Sequence, residues 1–133
     1  MSSVPGEIRI AIVGAGAVAR SRHLPGFSAV PGVRVVGVCN LHRESTAKVA
    51  REYGIAKVYG NWEQVIEDEE VDAVLIGTWP YMHCPVTLAA FDAGKHVLTE
   101  ARMAMNAREA QRMYDRSREV PQLTAMKIGR AHV

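Results

Sequence analysis

Ile8-Arg9-Ile10-Ala11-Ile12-Val13-Gly14-Ala15-Gly16-Ala17-Val18-Ala19 is the stretch that decides the fold. Its first half is a short run rich in β-branched residues, as expected of a strand buried on both faces of a parallel sheet. Its second half reads G-x-G-x-x-A and stands between that strand and a run of small and apolar residues suited to a helix. Gly14 permits the tight turn, Gly16 lets backbone approach a pyrophosphate with no Cβ in the way, and Ala19 is small enough for the helix to lie close to the sheet. The unpaired amides at the helix N-terminus then face the anion. A bare Gly-rich hexapeptide also occurs in α/β proteins that bind no nucleotide, so it is the setting between strand and helix that favours a dinucleotide.

Working outward, residues 17–30 suit a helix that Pro25 bends or restarts and that Pro31-Gly32 stops. Further strands are expected at 33–39, 57–59, 71–76, 96–99 and from 122 to 126. Helices are expected at 45–53, 62–67, 85–93 and from Asn106 to about residue 119, with Asn61 and Asn106 as N-caps and Gln64 completing a capping-box pattern. Strands alternating with helices, with no hairpin between them, give crossover connections and a parallel sheet covered on both faces. The fold class is therefore α/β, a doubly wound, Rossmann-type sheet whose ligand crevice lies beyond the carboxyl ends of the strands.

A length of 133 residues fits one domain, and 48% apolar with 23% charged residues is an ordinary globular balance. The formal net charge of +2, with both signs dispersed, offers no basic stripe for a phosphate backbone, so no nucleic-acid partner is expected. Cys39 and Cys84 are too few for a disulfide framework or a structural zinc site; no metal is expected, and both thiols are read as inert core residues. The first residues lack a signal-peptide pattern, and no apolar run reaches the roughly 20 residues of a membrane span, so the expectation is a cytoplasmic protein without membrane association.

At the end of the second strand, NAD enzymes usually place an acid on the adenosine ribose. Here the residue is Asn40, neutral and followed by His42 and Arg43, which can meet a 2′-phosphate. The cofactor is read as NAD(P), with the balance toward NADP; Arg43 as a solvated cation ahead of the helix is the bland alternative. Thr78, Trp79, Pro80 and His83 follow the fourth strand, and Glu100 follows the fifth, on the same rim as the Gly-rich turn. The expected cofactor-binding residues are Gly14, Gly16, Ala17, Val18, Asn40, Arg43, Thr78, Trp79, Pro80, His83 and Glu100. No catalytic residue is assigned. His23 and Trp62 are expected to be packing residues, and Tyr81 and Arg102 rim residues.

The T-x-P-x-x-H element of Thr78, Pro80 and His83, the run Ala93-Gly94-Lys95-His96-Val97-Leu98, Glu100, Met103-Ala104-Met105-Asn106 and His23-Leu24-Pro25 together resemble the Gfo/Idh/MocA oxidoreductases, of the glucose-fructose oxidoreductase and inositol dehydrogenase type. The likeness covers nearly all of residues 8–126. It implies hydride transfer between NAD(P) and a hydroxyl or carbonyl carbon of a sugar, cyclitol or related small molecule. It also implies a second α/β domain after the sixth strand, missing here, through which a homo-oligomer would form. In that family the fifth strand is followed by Glu-Lys-Pro, the Lys assisting proton transfer. Here Glu100 is kept, but Ala101 and Arg102 replace Lys and Pro. A non-catalytic dinucleotide-binding or sensor protein is therefore the alternative reading.

Residues 1–7 are expected to be a flexible N-terminus, and 8–126 the dinucleotide-binding domain. Ile128-Gly129-Arg130-Ala131-His132-Val133 match one translated frame of a common sequencing adapter, so 127–133 are read as a non-native tail and the chain as a fragment of a longer protein.

Overall fold

The computed structural model describes residues 6–16 and 19–128. Six strands form one wholly parallel sheet: β1 (Ile8–Val13), β2 (Val33–Cys39), β3 (Lys57–Val58), β4 (Ala73–Ile76), β5 (His96–Glu100) and β6 (Ala125–Ile128), in the spatial order β3-β2-β1-β4-β5-β6. Five helices connect them: α1 (Leu24–Ser28), α2 (Arg43–Tyr53), α3 (Trp62–Glu67), α4 (His83–Asp92) and α5 (Ala107–Glu119). A π-helical turn, Ala19–His23, precedes α1, and a 3₁₀ turn, Pro80–Met82, precedes α4.

The period of two along β1 and β4 divides the core between the two faces, and an irregularity in the β1–β2 register, where Val36 is skipped, reverses the alternation on β2. Ile10, Ile12, Val38 and Leu75 join Ala19, Leu24, Val49 and Ala50 on one face, while Ala11, Val13, Val36, Val74 and Ile76 join Val65, Val86 and Phe91 on the other. Ile12 and Leu75 are fully buried, each worth roughly 1.5–3 kcal/mol against exposure. This two-sided burial explains why the strands read as continuous apolar runs.

Local chemistry sets the element ends. The Asn61 and Asn106 carboxamides accept from the Gln64 and Glu109 amides, as expected of N-caps. Gln64 bonds back to the Gly60 amide. Pro25 restarts the helix, standing in the first turn of α1 after the π-helical turn. Two boundaries differ from expectation. Arg43 is the first residue of α2 rather than a residue ahead of it, and β6 begins at Ala125 rather than Gln122. α2 thus starts two residues before the expected Ser45, and the Ser45 and Thr46 hydroxyls donate to the His42 carbonyl at its first turn.

At the amino ends of the strands, polar side chains tie the sheet together. Arg9 donates through Nε and Nη2 to the two Asp72 oxygens at 2.9 and 3.0 Å, joining β1 to β4. Lys95 is buried, and its ammonium donates to the Asp68 and Val71 carbonyls at 2.7 and 2.8 Å; burial lowers its proton affinity. Asp68 itself accepts from Lys57, Tyr59 and the Glu70 amide. Lys57 also contacts Glu70.

Candidate functional site: the crevice beyond β1 and β4

The connections leaving β1 and β4 run to opposite faces of the sheet, so a crevice opens where these neighbouring strands end. The turn after β1 is suspended between its neighbours: the Gly14 amide donates to the Cys39 carbonyl at 2.8 Å, the Gly77 amide donates to the Val13 carbonyl at 2.8 Å, and the Ala15 amide donates to Asn40 Oδ1 at 2.6 Å. Gly14 has φ +88° and touches the Gly77–Thr78 backbone, so a Cβ there would lie 2.7 Å from the Thr78 nitrogen. At Gly16 a Cβ would meet no atom of the described residues, and this exposed backbone lines the crevice. The space that a pyrophosphate needs is therefore present beside the N-terminal turn.

The crevice holds about 690 Å³. Among the expected binding residues, Gly14, Gly16, Asn40, Thr78 and Trp79 line it. Ala17 and Val18 lie outside the described residues. Arg43 is exposed on the first turn of α2 and Pro80 is half-buried at the base of the 3₁₀ turn; neither lines the crevice as it stands. His83 is corrected in place. It is completely buried, with Nε2 3.0 Å from the Thr78 carbonyl oxygen and Nδ1 against the Arg102 carbonyl oxygen, so it pins the loops after β4 and β5 from beneath. Trp62 both packs on the core and lines the crevice, and Tyr81 and Leu41 stand exposed on its rim.

Asn40 is oriented by its neighbours. Its backbone amide donates to the buried Thr46 hydroxyl at 2.9 Å, its Oδ1 is taken by Ala15, and its Nδ2 points at Ser45 Oγ, 3.4 Å away. The group left for a ligand is thus a donor amide beside a hydroxyl, at the N-terminus of an eleven-residue helix.

His23 is the residue whose place was missed. It does stack on Phe27, with ring centroids 6.4 Å apart, but its Nε2 also lies 2.9 Å from Glu100 Oε1, bridging the π-helical turn to the end of β5. Nothing in the spacing of residues 23 and 100 reveals this contact, which exists because β1 and β5 both end on the same rim.

The family model described as an oxidoreductase family with an NAD-binding Rossmann fold matches residues 8–127, nearly the whole chain. The chain belongs to the Gfo/Idh/MocA oxidoreductase family. It is similar to 1,5-anhydro-D-fructose reductase of Ensifer adhaerens, 37% identical over 84% of this chain and 33% of that protein. Inositol 2-dehydrogenase of Klebsiella pneumoniae is 31% identical over 82% of this chain and 33% of its own length. The crystal structure of KijD10, a 3-ketoreductase from Actinomadura kijaniata, in complex with NADP and TDP-benzene, superposes with a TM-score of 0.83 at 27% identity, covering 91% of this chain and 37% of that one. This Gfo/Idh/MocA chain therefore spans about a third of the length of its relatives, the share occupied by a Rossmann domain.

An NAD(P) dinucleotide fits the residues present: Gly16 leaves an open approach, and the Asn40 carboxamide and Ser45 hydroxyl line the same crevice as polar groups. When bound, the cofactor supplies the hydride chemistry, and the chain supplies orientation and charge. This Gfo/Idh/MocA chain departs from the family pattern after β5, where Ala101 and Arg102 are both exposed. A guanidinium is a poor proton carrier but a good partner for anions. Both cysteines are buried, and loss of solvation pushes their thiols up, away from reactivity. Among the described residues no three His, Cys, Asp or Glu side chains converge on a metal site, and no helix is long and apolar enough to cross a membrane.

Proposed function

We propose that the full-length protein is an NAD(P)-dependent oxidoreductase that moves hydride between the cofactor and a hydroxyl or carbonyl carbon of a sugar, cyclitol or related metabolite. The observation that carries this reading is the Gly-rich turn suspended over the crevice at the β1/β4 switch, within a family of such oxidoreductases. Residues 8–126 act as the cofactor half, and a second α/β domain brings the substrate groups and a homo-oligomer contact. Residues 127 and 128 still pair with β5 as the end of β6 and go with the cofactor half. The protein works in the cytoplasm on small molecules, without nucleic acid or membrane.

NADP is the preferred cofactor. The Asn40 Oδ1 is already occupied by the Ala15 amide, so the ribose side meets the Nδ2 donor, the Ser45 hydroxyl and the nearby Arg43 cation rather than a carboxylate. Such a set suits a phosphate and gives up the acceptor that discriminates for an unphosphorylated ribose.

A non-catalytic dinucleotide sensor is the second reading, favoured by Ala101 in the position of the family lysine. Expression of the complete reading frame, cofactor titration, and assay of inositols and sugars with NAD and NADP separate the two. Turnover supports the enzyme, and tight binding with no turnover on any polyol supports the sensor. An extended frame lacking a second α/β domain would sink the enzyme reading.

A further inference from the structure

Glu100 ends β5, and its carboxylate rests above Gly77: a Cβ at Gly77 would lie 3.4 Å from Glu100 Cδ and Oε1. It is anchored there by His23 Nε2 at 2.9 Å, with the two side chains 22% and 13% exposed, and among the described residues His23 is its only hydrogen-bond partner. Both residues therefore keep an edge toward solvent at the carboxyl end of the sheet. In a doubly wound sheet the two halves of a dinucleotide spread over the two mononucleotide-binding halves, so β4 and β5 carry the nicotinamide side. Exposed Ala101 puts no ammonium at its position, and exposed Arg102 carries a guanidinium, which donates hydrogen bonds and accepts none.

Resting on the oxidoreductase reading, we propose that His23 and Glu100 form the proton-carrying pair of this site, in the role that the family lysine vacates at Ala101. In the oxidative direction the carbon–hydrogen bond breaks and its electron pair leaves as hydride to an oxidised nicotinamide dinucleotide. The hydroxyl O–H electrons become the second carbon–oxygen bond, and the released proton passes to the Glu100 carboxylate and on to the His23 imidazole, which exchanges with water. Reduction runs the same transfers backward. Glu100 lies against Gly77, which lines the crevice, and is the member of the pair assigned to the reacting side; His23 acts through it and is a positioning and relay residue. His23 bonds Glu100 of β5; Arg20 and Arg22 share its turn, and the Tyr53 hydroxyl of α2 donates to the Arg20 carbonyl.

The pair makes a testable statement about binding alone. An oxidised nicotinamide ring is positively charged and a reduced one is neutral, so binding the oxidised form beside a protonated His23 expels part of its proton. Calorimetric titration of this chain with NADP⁺ and with NADPH, each in two buffers of different ionisation enthalpy near pH ~6.5, where an imidazole changes charge, reads that release. A larger release with NADP⁺ than with NADPH is expected, vanishing in His23→Gln and reduced in Glu100→Gln, which leaves the imidazole without its carboxylate partner. Histidine-labelled NMR supplies the second readout, with the His23 ring signals moving toward the neutral form on NADP⁺ only. Equal release for the two redox forms, or a difference that survives His23→Gln, overturns the pair while leaving dinucleotide binding intact. Absence of any dinucleotide binding overturns the oxidoreductase reading, and the pair with it.

Discussion

Gly14 and Gly77 meet backbone to backbone: a Cβ on Gly14 would lie 2.7 Å from the Thr78 nitrogen, and a Cβ on Gly77 would lie 2.6 Å from the Gly14 carbonyl oxygen. Neither neighbour is a flexible side chain that can move aside. The contact lets the turns after β1 and β4 close against each other and fixes the floor of the crevice.

Gly14→Ala is therefore expected to destabilise the chain beyond the roughly 1–3 kcal/mol of a strained positive φ, because a backbone clash is added. Gly94→Ala is the control, since Gly94 has φ +77° with nothing near its Cβ position. Urea unfolding of both variants should show the larger loss at Gly14. Equal losses would mean that the Gly14–Gly77 approach relaxes freely.

Gly16 behaves in the opposite way. A Cβ there meets no atom of the described residues, so Gly16→Val should leave the melting temperature nearly unchanged while reducing NAD(P) affinity at least tenfold, or about 1.4 kcal/mol. Parallel thermal melts and calorimetric titrations decide it. Unchanged affinity would place the dinucleotide elsewhere.

Cofactor choice turns on Asn40. Asp at this position can still accept from the Ala15 amide, so Asn40→Asp should keep the turn and shift preference toward NAD by repelling a 2′-phosphate. Arg43→Ala should act in the same direction, since a charge-assisted contact is worth roughly 1.5–3 kcal/mol, or about tenfold and more in NADP affinity alone. Paired titrations with both cofactors read this out. Equal changes for NAD and NADP would make Arg43 a solvated surface residue.

Acid stability should depend on Asp68. Partial burial raises its carboxyl, but donors from Lys57, Tyr59 and the Glu70 amide outweigh that and bring it from 3.8 down to about 2. A depressed carboxylate contributes stability above its unfolded value and loses it as pH falls through the folded one. The contribution, on the order of 2 kcal/mol, is thus full above about pH 4 and disappears between about pH 4 and 2. Asp68→Asn should lower stability at neutral pH by a similar amount and flatten this acid limb in pH-dependent urea unfolding. An unchanged limb would assign acid sensitivity to another carboxylate.

The sheet was legible because Ile8–Val13 and its counterparts are buried on both faces, so their apolar runs needed no tertiary information. The Gly-rich turn and the two asparagine caps were legible for a related reason, since their chemistry is completed within a few residues. The packing of His23 was legible, but its contact with Glu100 was not, because that partner lies on β5 and is brought near only by strand order. The T-x-P-x-x-H spacing locates His83 after β4 at the start of α4, but not whether its ring faces the crevice or the loop carbonyls beneath. Asn40 was found, yet the direction of its carboxamide is set by Ala15 and Ser45, which no local pattern records.

The Arg9–Asp72 clamp and the buried Lys95 fasten the sheet at the end opposite the crevice. Six residues of β1, roughly 20 Å, separate the two ends. Changes at that distance with no shared partner add rather than couple. The rim loops can therefore accumulate substitutions, the exchange of a lysine for Ala101 among them, without loosening the fastening below. Specificity can drift across generations while the scaffold holds, and a saturation scan should find fitness losses from misfolding and from lost chemistry at separate poles of the same strands.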